Sequence, residues 1–173
     1  MISLESARVA IQISLVSFVS YLIGFHFTSL LHGPSASIGG LWSMISGIVV
    51  LQATRRDTLS SAWLRILGTA IGSTISVAYL AVLPFSPIGM ASSIFVTVLL
   101  CSAVRVPSHA RLAAASVAVI LVTASLNPTL NIFLNSALRF CESCLGTAIA
   151  VLAAHIWHSP KEPPNTAQAR DAR

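Results

Sequence analysis

Six apolar runs, each long enough or nearly long enough to cross a bilayer, follow one another along the chain with only short polar breaks between them. They are Val9 to Leu31, Ile38 to Thr54, Thr58 to Leu83, Ile88 to Val104, Ala110 to Leu126 and Ile132 to Trp157. About 20 apolar residues cross the hydrocarbon core as a helix. The second, fourth and fifth runs are short and are expected to stand upright or to be partly broken. Turn residues separate the runs: His32-Gly33-Pro34-Ser35, Arg55-Arg56-Asp57, Pro84-Phe85-Ser86-Pro87, Arg105-Val106-Pro107-Ser108 and Asn127-Pro128-Thr129. The expected fold is an all-α membrane protein with six transmembrane helices.

Composition agrees, with 55% hydrophobic and 9% charged residues, against about 25% charged in a soluble domain. The 173 residues make one transmembrane domain over 1–158 and a polar, Pro-containing tail over 159–173 that is expected to be disordered. The net charge of +5 is dispersed between apolar runs, whereas phosphate binding requires Lys and Arg clustered on one face, so no nucleic-acid partner is expected. Cys141 and Cys144 form a C-x-x-C within an apolar run with no second pair, and read as small packing residues with Cys101. His26, His32, His109, His155 and His158 are scattered; no metal and no cofactor is expected. His155 and His158 share a helix face where cations suit the helix dipole. Ser35 and His155 fall at opposite membrane faces and cannot meet as nucleophile and base, so the chain is not expected to be an enzyme.

Arginine placement gives the orientation. Arg55 and Arg56 lie in the second connection, Arg105 and Arg111 flank the fourth, and Lys161, Arg170 and Arg173 are in the tail, while the odd connections carry no Lys or Arg. The positive-inside rule then puts both termini in the cytoplasm of a multi-pass protein of the bacterial inner membrane. Trp63 and Trp157 fall toward the inner interface, and Trp42 and Tyr79 toward the outer one, as an aromatic belt.

An offset of 74 residues lays the first half (about 1–84) on the second (85–158) without gaps. Leu64-Arg65 falls on Leu138-Arg139, Gly72 on Gly146 and Ile75 on Ile149. Each half has three spans, an odd number, so the second copy is inserted upside down. Two inverted three-helix repeats are a transporter pattern in which the substrate path runs at the repeat interface.

Three ionisable residues lie inside spans: Arg65, Arg139 and Glu142. A charge at the bilayer centre costs at least ~2.5 kcal/mol on the insertion scale and is a functional-site hypothesis by default. In the third span Ser61, Arg65, Gly68, Thr69, Gly72 and Ser76 recur at three- and four-residue spacing; in the sixth, Asn135, Arg139, Glu142, Ser143 and Gly146 do the same. Gly68 and Gly72 form a G-x-x-x-G suited to close helix approach, with Gly146 the counterpart of Gly72. Arg65 and Arg139 each lie about seven residues, roughly 10 Å, inside opposite ends of their spans, which places one cation near each mouth of a conduit. Arginine keeps its proton and presents a fork of donors suited to carboxylates. The candidate substrate path is therefore Arg65, Thr69, Arg139, Glu142 and Ser143. The alternative role for Glu142, one turn from Arg139, is a structural ion pair that leaves Arg65 alone uncompensated.

The stretch Leu41-Trp42-Ser43-Met44-Ile45-Ser46-Gly47-Ile48-Val49-Val50-Leu51-Gln52, then Asp57-Thr58-Leu59, then Leu64-Arg65-Ile66-Leu67-Gly68-Thr69-Ala70-Ile71-Gly72, resembles the signature of the fusaric acid resistance and aromatic acid exporter superfamily, to which plant aluminium-activated malate transporters are similar. The shared elements are a tryptophan opening the second span, a Val-rich run, a Thr-Leu loop end and R-x-x-G-T-x-x-G in the third span. The resemblance implies a six-helix domain that moves small organic anions as exporter or channel, often as a homodimer, with Trp42, Arg65, Gly68, Thr69 and Gly72 matching the motif. The soluble region and second membrane domain of larger exporters have no counterpart in these 173 residues, and Glu142-Ser143 stands where the second repeat would carry Gly-Thr. The expected function is transport of small organic or inorganic anions through the lipid bilayer. The alternative is a non-transporting scaffold or accessory subunit whose G-x-x-x-G face docks a larger efflux partner.

Overall fold

Each polar break ends one helix and starts the next by its own local device. Thr54 caps the third helix: its hydroxyl oxygen accepts from the Asp57 amide at 3.1 Å and its hydrogen goes to the Asp57 carboxylate at 2.8 Å. Ser86 accepts from the Gly89 amide at 3.0 Å with Pro87 in the first helical position. Asn131 Oδ1 accepts from the amides of Phe133 and Leu134. The fourth helix closes with Arg105 in the left-handed region at φ 61°, where Val106 N–H bonds Cys101 O at 2.8 Å and Arg105 N–H bonds Ser102 O at 3.1 Å.

The computed structural model describes residues 4–157 and contains α1 (Leu4–Leu31), α2 (Ala36–Val50), α3 (Arg55–Leu80), α4 (Pro87–Ala103), α5 (Ala110–Leu126) and α6 (Ile132–Ile156). Short 3₁₀ turns, Gly33–Ser35 and Pro107–His109, lead into α2 and α5. No strand occurs among the described residues. The helix α5 has the expected bounds, whereas α3 begins three residues before Thr58 because Thr54 caps it rather than extending α2. The tail expected to be disordered lies outside the described residues. Among the described residues, five helical segments are long and apolar enough to cross a membrane, and α4, at 17 residues, is the shorter sixth.

Large apolar side chains cover the outside, and the interior mixes polar with apolar ones. Phe18, Leu30, Trp63, Phe95, Leu152 and Ile156 are exposed, while Ser20, Thr28, Ser43, Ser46, Thr69, Ser116, Asn135, Ser143 and all three intramembrane charges are buried. Val50, Val117, Ile120, Leu121 and Leu138 are buried among them, so what departs from a soluble domain is the extent of large apolar side chains on the outside. Inner hydroxyls commonly return to the carbonyl one turn back, as in Ser76 to Gly72 and Thr97 to Ser93. Val16 with Val50, Ala62 and Ala150, and Cys101 with Ala110 and Ala113, form two small apolar clusters.

Packing centres on α3 and α6, which lie against each other; α2 packs on α6, α5 on α3, and α1 on α2 and α6. The two 3₁₀ turns begin at Gly33 and Pro107, and α2 and α5 at Ala36 and Ala110, pairs related by the same 74-residue step as the sequence offset.

Candidate functional site

Helix α3 has a buried face of Ala62, Arg65, Gly68, Thr69, Gly72 and Ser76, and α6 one of Asn135, Arg139, Glu142, Ser143 and Gly146. Small residues bring the neighbouring backbones close. A Cβ built on Gly146 would overlap the Ser43 carbonyl oxygen of α2 and lie 3.0 Å from the Gly47 nitrogen. One built on Gly72 would meet Ala113 O and Ser116 Cβ of α5 at 2.5 and 2.7 Å, and one on Gly68 would meet Leu112 Cβ at 2.8 Å. The G-x-x-x-G face is thus occupied by α5 of the same chain, which removes it as a docking face for a partner.

Between these close contacts lies a layer of hydrogen bonds. Arg65 Nε and Nη2 donate to Ser46 Oγ at 3.2 and 2.9 Å, and the guanidinium carbon sits 4.5 Å from the centre of the Trp42 ring. Ser46 gives its own hydrogen to Trp42 O at 2.8 Å, and Thr69 gives its hydrogen to Arg65 O at 2.9 Å. Ser143 stands between them, 3.0 Å from Ser46 Oγ and 3.1 Å from Thr69 Oγ1. Since both neighbours have committed their hydrogens, Ser143 donates to one of them. Ser116 of α5 joins at 3.3 Å from Thr69. Among the described residues no carboxylate pairs with Arg65, although it is only 1% exposed.

The second charged group is an ion pair. Arg139 Nη2 lies 2.9 Å from Glu142 Oε1, both side chains fully buried, and Thr28 of α1 donates to the same oxygen at 2.6 Å. The Trp42 indole N–H donates to Arg139 O at 3.1 Å, joining the two groups. Asn135 Nδ2 donates to Ile120 O at 3.0 Å.

All five path residues named from the sequence thus lie in one layer, with Arg65, Thr69 and Ser143 in one network and Arg139 with Glu142 in the adjoining one. Because α3 starts at Arg55, Arg65 is about 15 Å from its helix start rather than 10 Å. Arg139 keeps its expected seven-residue distance from the start of α6 at Ile132, and Arg65 and Arg139 each stand one turn, about 6 Å, from the Thr69–Ser143 contact. Trp42 is also misplaced by the sequence: it is 5% exposed and lies inside the layer, not in an aromatic belt. An indole suits an interface and an interior equally; here the buried cation and a helix carbonyl supply both of its partners.

The sequence also missed Ser46, Thr28 and Ser116. A signal existed for the first two. Trp42 and Ser46 are one turn apart, and the buried residues of α1 are Val16, Ser20, Gly24 and Thr28, a strict four-residue stripe of mostly small or hydroxyl side chains. One turn further along α3, a groove of about 410 Å³ opens between α3 and α6, lined by Ser73, Thr74, Val77, Ser136 and Phe140 among others.

Lipid-facing helices around a buried, charge-bearing polar layer define a multi-pass membrane protein. The family described as fusaric acid resistance protein-like matches residues 15–153, and the chain belongs to that family, a family of membrane transport and resistance proteins. No curated protein and no solved structure matches the chain.

Proposed function

We propose that the protein passes small anions, organic or inorganic, across the bacterial inner membrane along a path between α3 and α6, working as a homodimer with both termini in the cytoplasm. The observation that carries this reading is Arg65: a guanidinium buried to 1% exposure, held by one serine and one indole face, with no carboxylate partner among the described residues. A permanent charge left uncompensated in a low-dielectric interior is costly unless a mobile anion completes it.

An inverted repeat supports the path. Thr69 and Ser143 are 74 residues apart and touch at 3.1 Å. Residues related by the repeat meet each other only near the axis that relates the halves. The packing partners agree, since exchanging α1, α2 and α3 for α4, α5 and α6 turns the α2–α6 contact into the α5–α3 contact. On this reading the axis runs between Arg65 and Arg139, and the repeat interface is where transporters of that pattern hold their substrate.

Anion flux into liposomes bearing the purified protein tests the proposal. Arg65→Gln is expected to lower flux about tenfold or more, the loss of roughly 1.4 kcal/mol or more of binding or barrier stabilisation, while the melting temperature in detergent stays near that of the wild type. Unchanged flux with a lowered melting temperature would make Arg65 a structural residue and reject the path.

A further inference from the structure

Glu142 places both of its contacts on one oxygen. Thr28 donates to Oε1 at 2.6 Å and Arg139 Nη2 lies 2.9 Å from the same atom, while Oε2 has no hydrogen-bond partner. On the cation, Nε and Nη1 have none either, and Nη2 has its 2.9 Å ion-pair contact with Oε1 but no hydrogen bond. Both side chains are 0% exposed. A guanidinium and a carboxylate can meet in a two-bond fork; these meet at one edge only. The pair is therefore half filled on both sides, with donors turned away from Glu142 and one carboxylate oxygen free.

We propose that Glu142 is a tethered counter-ion that competes with the transported anion for Arg139 and yields it by taking a proton on Oε2, so that anion passage is linked to proton uptake. This rests on the transport reading above. The argument is charge balance. The closed pair is neutral. An anion on Arg139 beside an ionised Glu142 would put two negative charges around one guanidinium in a low-dielectric interior, whereas a new O–H bond at Oε2 restores neutrality. The proton comes from the water on the side that supplies the anion, and leaves when the anion departs and the pair closes. Thr28 continues to donate to Oε1 in both states, holding the carboxyl in place. Gly39 leaves the space this needs, since a Cβ there would stand 2.6 Å from Oε1. Arg65 has no carboxylate to displace, so arrival of the anion at Arg139, about 12 Å from Arg65 along the helices, is the step that takes up the proton.

Few other groups can supply the pH dependence. Toward the pair α1 presents Thr28, α2 presents Gly39 and Trp42, and α3 presents Arg65 and Thr69 through Ser143; α5 reaches it through Ser116 on Thr69 and the Ile120 carbonyl on Asn135. Arg65 is the one further charge in this set and keeps its proton throughout. Cys141 and Cys144 are half-buried on α6 itself. His32 bonds Ser35, His109 bonds Ser108, and His26 meets Phe25 edge to face.

The test is uptake of chloride, and separately nitrate, by the full chain in liposomes with an internal pH dye; both anions stay ionised throughout. As external pH falls from about 8 to about 5, where buried carboxyls titrate, wild-type flux is expected to rise by up to about tenfold per pH unit, the limit for one linked proton, with acidification of the lumen. Glu142→Gln is expected to give flux that is flat with pH and brings no protons. Should that variant not fold, Arg139→Gln with Glu142→Gln strands no charge and is expected to give slower, equally flat flux. A pH slope retained in these variants, or a wild type that conducts equally at all pH without acidification, overturns the linkage and leaves the transport reading standing. A slope lost in His32→Gln assigns it to the α1–α2 turn and overturns the role of Glu142. No wild-type flux at any pH refutes the transport reading and the linkage together.

Discussion

Gly146→Ala is the sharpest test of the packing that brings the charged layer together. The added methyl would overlap Ser43 O, lie 2.8 Å from Ser43 C and 3.0 Å from Gly47 N. All three atoms are backbone of α2, so no side chain can swing aside. With carbon contacts optimal at about 3.5–4.0 Å, α2 must retreat by about 1 Å. Overpacking of this kind costs about 1–3 kcal/mol. The retreat also stretches the Trp42–Arg139 bond of 3.1 Å and the Ser46–Ser143 bond of 3.0 Å, each worth about 1 kcal/mol. Alanine returns about 1 kcal/mol of helix propensity, leaving a net loss of about 2–4 kcal/mol. For a chain of this size each kcal/mol lowers the melting point by about 2–4 °C, so thermal unfolding in mild detergent, followed by tryptophan fluorescence, is expected to shift down by several degrees. Gly33→Ala is the control, since nothing lies within 4 Å of its built Cβ. If Gly146→Ala melts with the wild type and with Gly33→Ala, the close approach of α2 and α6 is not what positions this layer.

Removing either member of the buried ion pair alone, by Arg139→Gln or Glu142→Gln, is expected to cost about 3–5 kcal/mol, and removing both to cost less than either, because only the single changes strand a charge; a double-mutant cycle on melting or denaturant midpoints reads this. Arg105→Gly relieves the left-handed conformation at φ 61° and is expected to stabilise by about 1 kcal/mol in the same unfolding assay. Cysteines introduced after Pro34, Ser86 and Thr129 are expected to react with an impermeant reagent from outside the cell, and those after Arg56 and Ser108 only from within; reversal at two sites refutes the orientation and the inverted insertion together.

What the sequence determined by itself is the set of six helices, with α5 at its expected bounds and the other ends displaced by up to five residues. Hydrocarbon offers backbone groups no partner, so every sufficiently long apolar run has to become a helix, whereas the caps at Thr54, Ser86 and Asn131 came from the structure, Thr54 having read as the end of the second run. The intramembrane charges were also legible, because Arg65, Arg139 and Glu142 are out of place by composition alone. The partners of those charges were not. Thr28 reaches Glu142 across 114 residues and Trp42 reaches Arg139 across 97, and helix periodicity reports which face is small or polar but not which helix that face meets. Trp42 shows the limit most clearly: one side chain with an apolar body and a polar tip satisfies a membrane interface or a buried cation equally well. The tertiary structure decided between them, because only the close approach of α2 to α6 at Gly146 brings its indole within reach of both Arg65 and the Arg139 carbonyl.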